Sequence, residues 1–331
     1  MRKLLDNTLS ALDRLRPDSP AGTMWRTLRR NWVDYVFMLA FVLMILSASF
    51  ATEVFFTQRN ISNVSRQVVA NGLIGLGMLV VILTGGIDLS VGPVVALTGI
   101  MAGGFQEHLP LPLAILGALT VGVLAGTVNG LLVSRLKLQP FIATLATMSI
   151  YRGAIYVYSE TPITPSNPAF RKLLGGASIG PVPIPFVIML ACYPLVWIFL
   201  NRTTFGRATM AIGGNEEAVR LAGINVSGHV TLAYMICSFF ASLAGILLAS
   251  RLGYAQPSIG AGYELDAIAA VVIGGGILGG GGGTVIGTLG GVFLLGLINN
   301  LLNLFDVQSY YQQILKGFII VIAVLARRKD S

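Results

Sequence analysis

Charge is scarce in this chain. Only 11% of its 331 residues are charged, against 54% hydrophobic, whereas a soluble domain carries roughly 25% charged residues. Such a composition leaves too little polar surface to cover the apolar side chains of a water-soluble globule. Cysteine is nearly absent: Cys192 and Cys237 each stand inside an apolar run, so neither a disulfide nor a metal site is expected. Histidine is limited to His108 and His229, both beside ends of apolar runs. No catalytic triad, zinc spacing or carboxylate pair stands out, and no enzyme active site is expected. Acidic residues number 14 against 22 basic ones, for a formal net charge of +8. The basic residues are spread over termini and loops, which fits orientation in a bilayer better than nucleic-acid binding.

What the chain does have is apolar sequence in runs of membrane-spanning length, roughly 17–25 residues. Mean hydropathy is +0.78, and the runs do not alternate as barrel strands would. The expected fold is therefore all-α, a polytopic membrane bundle of about ten helices at about 33–51, 68–84, 91–105, 111–133, 139–158, 184–200, 229–250, 266–282, 284–303 and 309–326, or of eight with the same ends if the third and eighth runs do not span. The third and eighth runs are the weakest: one is short and opens at Pro93, the other dissolves into glycine. The 40 glycines point to close helix packing or broken helices.

Basic residues orient the bundle. With the N-terminus in the cytoplasm, fifteen lie on inside segments and five (Arg59, Arg66, Arg171, Lys172, Arg251) on outside ones, a bias that places both termini in the cytoplasm. Residues 1–32 read as a basic cytoplasmic segment without the apolar core of a cleavable signal. Residues 33–326 form the transmembrane domain, and 327–331 a basic cytoplasmic tail. Two connections are long, 201–228 inside and 159–185 outside. A faint echo between 80–89 and 271–278, each an apolar run ending in a glycine turn, is compatible with an internal repeat.

The inside connection carries the most specific short element. Asn215 suits an N-cap, Glu216 and Glu217 sit at the positive end of the helix dipole, Ala218 follows, Arg220 lies in the last turn, and Gly223 can take a left-handed stop. A two-turn helix is marginal alone, so this one, with Val219, Leu221 and Ala222 as its apolar surface, must dock, either on its own membrane domain or on a cytoplasmic partner. The glycine run 274–283 is not a nucleotide loop, because Thr284 and Val285 follow where a Walker loop needs Lys and Ser or Thr.

Polar residues within apolar runs are pathway candidates. They include Gln67, Asn71, Asp88, Ser90, Thr144, Arg152, Asp266, Asn299, Asn300, Gln312 and Lys316. The carboxylates among them, Asp88 and Asp266, are expected near span ends, which argues against proton coupling. Amides and hydroxyls suit a neutral, hydroxyl-rich solute. Each residue has an equally ordinary role as a helix cap or interhelical bond.

Several ordered motifs resemble the permease subunits of ribose-type ABC importers. They are Thr84-Gly85-Gly86-Ile87-Asp88-Leu89-Ser90, Phe141-Ile142-Ala143-Thr144-Leu145, Gly214-Asn215-Glu216-Glu217-Ala218 and Gly262-Tyr263-Glu264-Leu265-Asp266, with Ser309-Tyr310-Tyr311-Gln312 before the last run. The resemblance implies a multi-pass protein of the bacterial inner membrane, paired with a second permease copy or a homologous permease. ATP-Mg would be bound and hydrolysed by a separate cytoplasmic ATPase, not by this chain. A periplasmic sugar-binding protein would deliver the cargo, a pentose such as ribose or a related hexose or furanose. It also implies that the 215–223 helix couples to the ATPase and that 262–266 lies near the outer mouth. Outside, Phe170 is expected on the membrane domain, with Arg171 and Lys172 turned to the periplasm. There they would meet the binding protein or the membrane lipid. Alternative readings are a secondary transporter or facilitator for a neutral solute, a permease for branched-chain amino acids, and an integral-membrane enzyme.

Overall fold

A computed structural model describes residues 32–328; the extension 1–31 and residues 329–331 lie outside the described residues. Helices occupy all ten expected places: α1 (Trp32–Ala51), α2 (Gln58–Leu83), α3 (Val91–Gly104), α4 (Leu111–Ser134), α5 (Pro140–Tyr158), α6 (Ile184–Arg202), α9 (Val226–Leu252), α10 (Tyr263–Ile273), α11 (Val285–Leu304) and α12 (Ser309–Arg328). The 201–228 connection adds α7 (Thr204–Gly214) and α8 (Glu216–Leu221). Five of these helices, α2, α4, α6, α9 and α11, are long and apolar enough to cross a membrane.

Three departures from the sequence reading have local causes. α2 starts at Gln58, ten residues before the apolar run, because Thr57 caps it through Asn60 N at 3.3 Å. Hydropathy does not register a polar first turn. α10 stops at Ile273, and 274–284 is an irregular turn in which Gly275, Gly280 and Gly281 have φ of 100°, 97° and 74°. Those angles lie in the region side chains avoid. The 159–185 connection holds a π-type turn (Phe170–Gly175) and a two-residue hairpin, β1 (Ser178–Ile179) with β2 (Val182–Pro183), so the chain is helical with one small β element.

α2 is the axis of the bundle. It packs on α9, α10, α11 and α6, and α9 in turn packs on α4 and α3. Small residues set these spacings: a Cβ at Gly77 would stand 2.7 Å from the Cα of Cys237, so α2 and α9 touch backbone to backbone.

α3 and α10 are half-helices. Their 14 and 11 residues rise about 21 and 16 Å at 1.5 Å each, short of the roughly 30 Å hydrocarbon core. Residues 84–90 fold back into the bundle before α3, and 253–262 do so before α10. The two N-termini meet, with Gly92 of α3 packed against the Gly260 carbonyl and the Glu264 carboxylate.

One end of the bundle gathers 84–86, the α4–α5 turn, α7, α8 and the glycine turn. There Gly281 N donates to Leu83 O at 3.0 Å, so the two segments that echo each other in sequence end in mutual contact. The opposite end gathers the 159–183 connection and the last turn of α9, joined by Ile163 N to Ala255 O at 2.8 Å.

Candidate functional site

The short helix α8 forms as its residues dictate. Asn215 Oδ1 accepts from Ala218 N at 2.9 Å, Glu217 pairs with Arg220, and Gly223 takes φ of 80°. Val219 is buried in the bundle, while Leu221 is 80% exposed with Glu216, Glu217, Ala218 and Arg220 around it. One apolar side chain thus anchors the helix and another faces outward. The support beneath is closely packed: Phe205 of α7 stacks between Phe199 and His229, with centroids at 4.8 and 5.3 Å, and Gly213 lies against Leu83 O. Lys137 of the α4–α5 turn reaches Glu216 at 3.1 Å. Beside this ion pair lies a cleft of about 320 Å³ bordered by Thr84, Gly86, Gln139 and Val230.

Within the bundle the polar candidates separate into groups. Asp88 and Ser90 are fully buried with Asn129 of α4. Asp88 Oδ1 accepts from Ser90 N at 2.9 Å, Ser90 Oγ at 2.7 Å and Asn129 Nδ2 at 3.3 Å, and Asn129 also donates to Ser90 Oγ at 2.7 Å. The preceding carbonyl, Ile87 O, accepts from Thr144 of α5 at 3.3 Å and Tyr234 of α9 at 3.2 Å. Side chains from three helices therefore hold the folded-back 84–90 segment. This answers the need to satisfy non-helical backbone at membrane depth.

A second group sits halfway along α2. Asn71 Nδ2 donates to Asp266 Oδ2 at 3.3 Å, and Lys316 of α12 pairs with the same oxygen at 3.0 Å. Asp266 and Glu264 occupy the first turn of α10, where the dipole favours negative charge. The 262–266 segment thus runs beside residues 67–71 of α2, with Asp266 against Asn71 and Tyr263 sharing a cavity with Gln67 and Arg251 at the hairpin end. The irregular 253–262 stretch leads from α9 into α10. Arg152 of α5 ties that stretch down by donating to Ile259 O at 3.0 Å and to Pro257 O.

The remaining candidates lie apart from both groups. Asn300 exchanges two amide bonds with Asn60, at 2.8 and 3.1 Å, joining α11 to α2. Gln312 closes the α11–α12 turn on Asn303 Oδ1 and Val307 O, each at 2.8 Å. Asn299 is buried, and among the described residues its Oδ1 has no partner. Gln67 lines a small cavity at the hairpin end. Phe170 is fully buried, its carbonyl taking Ser250 Oγ at 2.7 Å, while Arg171 and Lys172 are exposed.

Residues 60–324 match the family described as branched-chain amino acid transport system / permease component. This chain belongs to that permease family. The permease is 46% identical over 300 residues to the ribose import permease protein RbsC of Bacillus subtilis, covering 89% of this chain and 91% of the relative. It is 44% identical over 301 residues to RbsC of Escherichia coli, covering 89% and 93%. It is 35% identical over 307 residues to the D-allose transport system permease protein AlsC of Escherichia coli, covering 91% and 93%. No solved structure matches it.

Sequence reasoning missed Asn129, Tyr234 and Asn60 in this permease. Asn129 had a usable signal, being the lone amide in the apolar α4. Tyr234 and Asn60 act through partners distant in sequence, and nothing local marks them.

Proposed function

We infer that this permease is the transmembrane pore subunit of an ATP-driven importer that takes up a sugar, a pentose such as ribose or a related hexose or furanose. The identity of 44–46% to ribose import permeases over about nine-tenths of the chain carries the reading. The family description mentions branched-chain amino acids, but the relatives at 35–46% identity are named for ribose, allose and arabinose. That favours sugar as the cargo.

In this reading the protein crosses the bacterial inner membrane about ten times with both termini in the cytoplasm, as the basic-residue bias implies. It works with a second permease copy or a homologue. α8 enters a cleft on a cytoplasmic ATPase that holds ATP-Mg; the outward Leu221 and the capped, charged helix supported by α7 favour this. Arg171 and Lys172 meet acidic groups of a periplasmic sugar-binding protein and steer its approach. Gln67, Asn71 and Asp266 border the route of the sugar. Asp88, Ser90, Thr144, Asn299, Asn300 and Gln312 shape it from behind.

Reconstitution in liposomes tests the reading. The chain alone is expected neither to hydrolyse ATP nor to move sugar, and to transport once ATPase and binding protein are added. Gradient-driven uptake by the chain alone overturns it.

A further inference from the structure

At the hairpin end a cavity of about 80 Å³ opens between α2, α6, α9 and α10. Its polar wall is Arg66, Gln67, Arg251 and Tyr263, and its apolar wall includes Pro185 and Leu247. The arginines are held in place by backbone: Arg251 Nη1 donates to Arg66 O at 2.8 Å, and Arg66 Nη1 reaches Gly175 O at 3.4 Å. Each guanidinium has five N–H donors, and one such bond leaves most of them free. Among the described residues no carboxylate lies within ion-pairing distance of either arginine. A third guanidinium, Arg171, lies over Gly253 at the end of α9 and adds to the same positive field.

Two half-buried cations converging on one concavity without a counter-charge favour an anion. Guanidinium forks match the oxygens of a phosphate in particular. We propose that this cavity binds the phosphate group of a phospholipid headgroup, with Arg66 and Arg251 as its ligands. Tyr263 supplies a further hydrogen bond, and the apolar wall takes the glycerol stem. That apolar half favours a lipid over free phosphate as the source. The site stands apart from the α8 surface and does not depend on which solute is carried.

The test is native mass spectrometry of the full chain, delipidated in detergent and titrated with phosphatidylglycerol, diacylglycerol or inorganic phosphate. The first phosphatidylglycerol is expected to bind at least about tenfold more weakly to the R66Q/R251Q variant than to the wild type, as loss of charge-assisted bonds implies. Diacylglycerol should bind poorly to both. Because Arg251 braces the α2 backbone, Arg66→Gln alone and Arg251→Lys are run beside it; weakening by the first, with partial retention by the second, supports the site. Binding of inorganic phosphate to the wild type and not to R66Q/R251Q, without preference for lipid, assigns the same site to the free anion. Equal phosphatidylglycerol affinity across all variants overturns the proposal, as does diacylglycerol binding as tightly as phosphatidylglycerol. Unchanged lipid affinity with lost association of an acidic protein partner also overturns it.

Discussion

Asp266 shows how much one residue's setting depends on its neighbours. Its carboxylate is 8% exposed as a residue and is made tolerable by Lys316, Asn71 and the N-terminal turn of α10. Removing one partner from an enclosed ion pair leaves the other charge stranded. Lys316→Met should therefore destabilise the bundle by about 2 kcal/mol, less than a fully enclosed pair because Lys316 is partly exposed. The D266N/K316M variant should recover most of that loss. Unfolding in mixed micelles measures both, and equal stability of the two variants counts against the pairing. The Asn60–Asn300 amide exchange is a smaller case: Asn300→Ala should cost about 1 kcal/mol by the same measurement, with no change in helix content by circular dichroism.

Among the elements, α8 and the 170–175 turn carry exposed charged residues at opposite ends of the bundle. Reversing Glu216 and Glu217 to Arg removes the Lys137 and Arg220 pairs and opposes the helix dipole, but leaves Val219 in place. Insertion should be unaffected, while ATP hydrolysis by the bound ATPase loses its link to sugar uptake. Unaltered coupling would make α8 a brace for its own bundle. At the other end, Phe170 anchors the turn from below, so Arg171 and Lys172 can be reversed without disturbing packing. The R171E/K172E variant should bind the sugar-binding protein more slowly at low salt, with the difference closing as salt rises. A salt series that superimposes on the wild type removes the docking role.

For the molecule as a whole, the arrangement to test is sidedness. Single cysteines placed at Lys137 and Leu221, in a chain lacking Cys192 and Cys237, should react with an impermeant maleimide only from the cytoplasm. Cysteines at His108 and Ile179 should react only from the periplasm. All four positions are exposed and lie at opposite ends of the bundle. Labelling of both pairs from one side would contradict the helix count and the orientation together.

Local features were legible in the sequence. Apolar runs located the five long apolar helices, because apolarity over a helix's length is read nearly residue by residue. Asn215 and Gly223 marked both ends of α8, because caps act within a turn. The glycines of 274–283 announced a break, because positive φ is a property of single residues. Tertiary structure alone decided depth and pairing. Asp266 meets Asn71 across 195 positions and Lys316 across 50, and Asn60 meets Asn300 across 240, contacts that no local pattern encodes. The same holds for the meeting of α3 and α10. Each short helix was visible as a weak span, but only packing determines where re-entrant backbone finds hydrogen-bond partners. That packing set the first turn of α10 beside residues 67–71 of α2.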